Sequence, residues 1–191
     1  MEQEETGLPR PVLIVVVALG VLLAVGVVGV GVYGWWNERA QQREVEAAEQ
    51  ARRSGPLAMP PVPAPQAGSP DCAKVIDALP RELTVRGDAV PRREIAQPAP
   101  PATVAWGDAE HDPVTLRCGI GSPAELTPTS QLTVVNGVSW FEISEAGNVS
   151  WLAVDRGVRV ALNAPADIGT GPLQEISDVL RTALPKRPVF P

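Results

Sequence analysis

Histidine occurs once and cysteine twice in the 191 residues of this chain. With His111 alone, a histidine-based triad or a polyhistidine metal site would have to be built around a single ring. Cys72 and Cys118 stand 46 positions apart, which is neither the C-x-x-C spacing of a redox motif nor enough ligands for zinc. A Walker phosphate loop is missing, and Ser122 in GIGSP lacks the G-x-S-x-G spacing of a nucleophile elbow. Positive charge is scarce too: 16 Lys and Arg face 22 Asp and Glu, for a net charge of -6. Nucleic acid is therefore not an expected partner, and no cofactor, catalytic set or metal site is implied.

What the sequence does have is one long apolar run. Val12 to Trp36 carries no charged residue, and as a helix it would span about 37 Å. A hydrocarbon core of about 30 Å is within that reach, and Tyr33, Trp35 and Trp36 gather at one end, where amphipathic rings settle. The run is too long for the apolar region of a signal peptide and no A-x-A-like site follows it, so an uncleaved transmembrane helix is expected over 12–36. Residues 1–11 then form a cytoplasmic tail, 37–54 a charged helical stalk, 55–70 a proline-rich linker, and 71–187 an extracytoplasmic domain.

Orientation rests on the cysteines. Arg10 on one flank against Arg39, Arg43, Arg52 and Arg53 on the other would place the C-terminal part in the cytoplasm. A structural disulfide between Cys72 and Cys118 is the most economical use of two such cysteines, and it requires an oxidising compartment. The expected location is the cell membrane, single-pass, with the domain outside.

Within the domain, Ser69 and Pro70 open a helix with Cys72, Val75, Ile76 and Leu79 on one face, and Pro80 ends it. A loop-rich section with Pro91, Pro98, Pro100 and Pro101 follows. ATVAWG and VTLRCGI then read as strands, with Leu116 and Cys118 inward and Thr115 and Arg117 outward. Asn136-Gly137 between β-branched runs marks a hairpin. VSWLAVD and VRVALN are further strands, with Asp155 and Arg156 pairing or shaping a turn between them. Gly171-Pro172 opens a closing helix bearing Leu173, Ile176, Val179, Leu180 and Leu184. The expected fold is α+β: an antiparallel sheet of about five or six strands with an N-terminal and a C-terminal helix packed on one face, preceded by the transmembrane helix.

The set CAKVIDALP, VAWGD, LRCGI, VNGVSWFEI, WLAVDRGVRVAL and LQEISDVLRTALP resembles an uncharacterised family of actinobacterial single-pass membrane proteins with an extracytoplasmic domain. The resemblance covers roughly Asp71 to Pro185. It implies orientation and fold grouping, and it brings no functional residues.

Two residue groups bear on chemistry. Asp108, Glu110, His111 and Asp112 share one loop, where carboxylates and an imidazole suit a divalent cation or a shared proton; acidic residues in such loops also serve solvation and turn geometry. Trp106, Trp140 and Trp151 would make a ligand platform if they converge, or core if they do not. The expected function is that of a non-catalytic binding or scaffold module of the cell envelope, facing an envelope protein or cell-wall partner. The alternatives are an envelope hydrolase using acidic residues and an accessory subunit of a membrane complex.

Overall fold

The structure, a computed structural model, describes residues 19, 35, 39, 41–50 and 53–190. The chain divides into two units, Met1–Glu49 and Gln50–Pro191. In the first, residues 41–49 are helical and exposed, and the Arg39 guanidinium lies 3.6 Å from the centre of the Trp35 ring. The transmembrane helix expected over 12–36 lies outside the described residues apart from Leu19 and Trp35. Among the described residues no helix is long and apolar enough to cross a membrane.

The second unit begins with α1, Pro70–Ala78. Its first turn is held by the Ser69 hydroxyl, which accepts from the Cys72 amide at 3.2 Å, and Pro70 fills the position where a missing N–H does no harm. Eight antiparallel strands follow, and not the five or six expected: β1 Glu82–Val85, β2 Asp88–Arg93, β3 Thr103–Trp106, β4 Val114–Cys118, β5 Thr133–Val135, β6 Val138–Glu145, β7 Asn148–Ala153 and β8 Val160–Pro165. The closing helix is α2, Gly171–Ala183. Strand order across the sheet is β1-β2-β3-β4-β8-β7-β6-β5. Two four-stranded meanders thus meet at β4 and β8, and the 119–132 connection carries the chain from the centre to the far edge.

The hairpin of β1 and β2 accounts for most of the shortfall. Its turn, Arg86-Gly87, has φ of 54° and 98°, a conformation that arginine does not advertise. Pro91 reads as a breaker but sits where it does no damage. Arg92 N–H donates to Arg81 O on the β1 side, so the position of the missing Pro91 N–H faces β3, and pairing with β3 starts only at Arg92.

Directly opposed residues share a face of the sheet, so register sorts the side chains. One face packs on α1 and α2 around Trp106, Leu116, Trp140, Leu162, Ile176 and Leu180. Both buried indoles find acceptors: Trp106 Nε1 donates to Pro80 O at 3.2 Å, and Trp140 Nε1 to Ser177 Oγ at 2.9 Å. The opposite face carries a smaller cluster of Leu152, Val154 and Ala161, covered by Ile120, Leu126, Leu132, Phe141 and Val189.

Cys72 on α1 is bonded to Cys118 at the end of β4, with both residues fully buried and their Cα atoms 5.6 Å apart. Closing a loop of this length contributes about 4 kcal/mol in the chain-entropy account. Replacing both cysteines by alanine should lower the unfolding free energy by about that amount in a denaturant titration against the oxidised protein. A loss below about 1 kcal/mol would show that packing alone holds α1 on the sheet.

Candidate functional site

Strand β4 alternates Val114, Leu116 and Cys118 toward the helices with Thr115 and Arg117 toward the other face. An outward arginine on a strand is ordinarily solvated. Here β4 is the fourth of eight strands, and the proline-rich segment passes over it. Segment 55–70 lies against the sheet and does not stand away from it. Leu57 bridges to Ile95, and Gln66 N–H donates to Gly119 O at 3.0 Å. A proline-rich segment has few N–H groups to pair, and arginines bind two of its carbonyls: Arg117 Nη2 donates to Pro60 O at 2.9 Å and Arg93 Nε to Gly55 O at 2.9 Å. Gly119 makes the close approach feasible. Its φ is +83°, and a Cβ there would fall 2.3 Å from the backbone of Gln66 and Ala67.

Between this segment, the start of the 119–132 connection and the outer face of β6, β7 and β8 lies a groove of about 410 Å³. Val62, Pro63, Ile120, Ile143, Leu152 and Ala161 make its apolar walls; Arg117, Ser122, Ser150 and Asn163 are its polar groups. Its volume and mixed lining suit a small ligand or a short peptide end. Ser150 Oγ donates to Asn163 Oδ1, and Ser122 Oγ accepts from Arg159 Nε at 3.3 Å. Among the described residues no carboxylate lines the groove.

Arg117 is the unusual member. It is 7% exposed, and among the described residues its one hydrogen bond goes to the Pro60 carbonyl. Burial pushes its pKa down from the usual arginine value, and the group nonetheless stays cationic. A desolvated charge without a counter-ion is unfavourable, and an incoming anion relieves it.

The buried pair Asp155 and Arg156 makes the contrast. Arg156 Nη1 donates to Asp155 Oδ1 at 2.7 Å, and Arg156 Nη2 reaches Gly137 O at 3.2 Å. Arg187 N–H donates to Asp155 O at 2.9 Å. The pair ties the β7–β8 loop to the β5–β6 turn and to the chain after α2. Lys186 Nζ lies 3.9 Å from Asp155 Oδ2, an oxygen that has no hydrogen-bond partner among the described residues.

The acidic loop is organised around its own backbone. Asp108 Oδ1 accepts from the amides of Glu110 and His111, both at 2.8 Å, and meets His111 Nδ1 at 2.9 Å. His111 Nε2 lies 3.4 Å from Asp88 Oδ2. Glu110, His111 and Asp112 border a cleft of about 40 Å³, room for about one water. Among the described residues no group of three or more His, Cys, Asp or Glu is placed to hold a metal ion. The tryptophans do not converge either: Trp106 and Trp140 are fully buried on separate strands, and Trp151, half-buried against the helix-side core, alone of the three also borders the groove.

Arg117, Ser150 and Asn163 escape a reading of the sequence because each looks like the solvated side of an alternating strand. The cysteine of VTLRC signals cover by a helix on one face only; the cover over Arg117 comes from the proline-rich segment, which the strand itself does not announce.

A family described as a protein of unknown function (DUF3515) matches residues 15–189 of the chain. No curated protein and no solved structure matches it.

Two outcomes follow from this geometry. Both His111 nitrogens face carboxylates, so the hydrogen bond to Asp108 raises its pKa above the usual 6.5, against a smaller opposing effect of burial. That stabilisation is complete below about pH 6.5 and is lost as pH rises through the raised value. His111→Gln should remove this part of the pH dependence in thermal unfolding; identical wild-type and variant profiles between pH 6 and 9 would refute it. Arg117→Met should leave the unfolding free energy within about 1 kcal/mol of wild type, or raise it. A loss above about 2 kcal/mol would make Arg117 a strut for Pro60.

Proposed function

For a chain that belongs to the DUF3515 family, and so inherits no activity from its relatives, we propose a non-catalytic binding module of the cell envelope whose site is the outer-face groove. The observation that carries this reading is Arg117, a buried cation with a backbone carbonyl in place of a counter-ion, set in a groove with apolar walls. A group kept at the expense of folding stability is characteristic of a binding site. The acidic loop supports a hydrolase less well, because Asp108 is taken up by its own turn and, among the described residues, the groove has no carboxylate.

Residence outside the cytoplasm is supported by the disulfide, since such bonds persist in oxidising compartments. Attachment to the membrane is supported by the uncharged run from Val12 to Trp36 and by the resemblance to actinobacterial single-pass proteins. The distribution of arginines around that run argues the other way, and long domains translocate against so weak a signal. The partner belongs to the envelope, as a protein or a cell-wall component.

A photo-crosslinking residue at Ile143, inside the groove, should capture a partner in intact cells, and Arg117→Met should abolish the adduct. The same residue at Val134, 64% exposed on the edge strand β5, serves as the control. Equal capture at both positions, or capture indifferent to Arg117, overturns the groove as the site. A C-terminal phosphatase fusion that needs export for activity should be active; an inactive but intact fusion overturns the location.

A further inference from the structure

The groove combines one desolvated cation with two kinds of surface, and that combination restricts what it can hold. The Arg117 guanidinium is planar, and among the described residues it spends one hydrogen bond on Pro60 O at 2.9 Å. Its remaining donors match the geometry of a carboxylate. Val62, Ile143 and Leu152 give apolar contact beside it. Ser122, Ser150 and Asn163 add hydroxyl and amide groups on the same lining. A fatty acid would satisfy the arginine but lay methylenes against those polar groups, which is unfavourable. A peptide end meets all three requirements: a terminal carboxylate for Arg117, an apolar last side chain for the walls, and a penultimate amide for the hydroxyl and amide groups. Among the described residues no acidic side chain lines the groove to repel the carboxylate.

We propose that the groove captures the C-terminal carboxylate of a partner peptide ending in a small or branched apolar residue, with Arg117 as the carboxylate-binding group. This inference rests on the groove being the binding site and specifies its ligand. Capture of a chain end in this way is a recurrent mode of peptide recognition.

The test is titration of the full-length protein with N-acetyl-Ala-Leu, its C-terminal amide, and hexanoate. The dipeptide acid should bind saturably, with the amide weaker by roughly 10- to 100-fold, the factor associated with a charged hydrogen bond. Hexanoate should bind more weakly than the dipeptide acid. Arg117→Met should abolish the preference for acid over amide. Ile143→Glu, a substitution at the groove wall that leaves both cores untouched, should weaken the acid by placing a competing carboxylate in the groove. Equal binding of acid and amide overturns the carboxylate assignment while an Arg117-dependent crosslink at Ile143 still supports the groove. Hexanoate binding as tightly as the dipeptide overturns the peptide assignment. No binding of any probe overturns it as well, and loss of the Ile143 crosslink would remove the groove with it.

Discussion

Backbone pairing between β4 and β8 makes one sheet out of two meanders, and the other contacts of the domain are arranged around that seam. Leu116 opposite Leu162 and Cys118 opposite Val160 form its dry side, where Cys72 joins α1 to the sheet. Thr115 opposite Asn163 and Arg117 opposite Ala161 form its other side, where the proline-rich segment crosses. Without the seam each meander would keep an open strand edge and half a core, and neither would be expected to stand alone.

The two faces are unequal in character. The helix-side face is apolar, and its buried indoles have acceptors. The outer face holds a small cluster and a charged groove. Two buried arginines show the difference between structural and functional charge. Arg156 is neutralised by Asp155 and joins three loops, so losing either partner would strand a buried charge. Among the described residues Arg117 has no such partner, although a domain of ordinary stability, roughly 5–15 kcal/mol, has little margin for an idle desolvated cation.

Local signals in the sequence were readable where the physics is local. Ser69 and Pro70 mark the start of α1 because a hydroxyl acceptor and a missing N–H are what a helix N-terminus requires. Asn136-Gly137 turns β5 into β6 with φ of 47° and 80°. The disulfide follows because two cysteines allow only one internal pairing. What was not readable depends on distant neighbours. Pro91 and Arg86 hide the first hairpin, since a breaker and a long charged side chain are harmless only once the pairing pattern around them is known. Asp108 and His111 look like chemistry in sequence, yet their loop uses them mostly on its own amides. Arg117 and Asn163 look solvated until the proline-rich segment is seen crossing above them.

The order of the chain also sets an order of assembly. The first meander, α1 and both sulfurs are complete by residue 118, whereas β8 begins at Val160. During synthesis the first half therefore has to wait with the long side of β4 uncovered, since joining distant strands is the slow, entropically demanding step. A waiting edge is where stray strands attach, and a cationic side chain at the fourth position of VTLRC makes that edge a poor template.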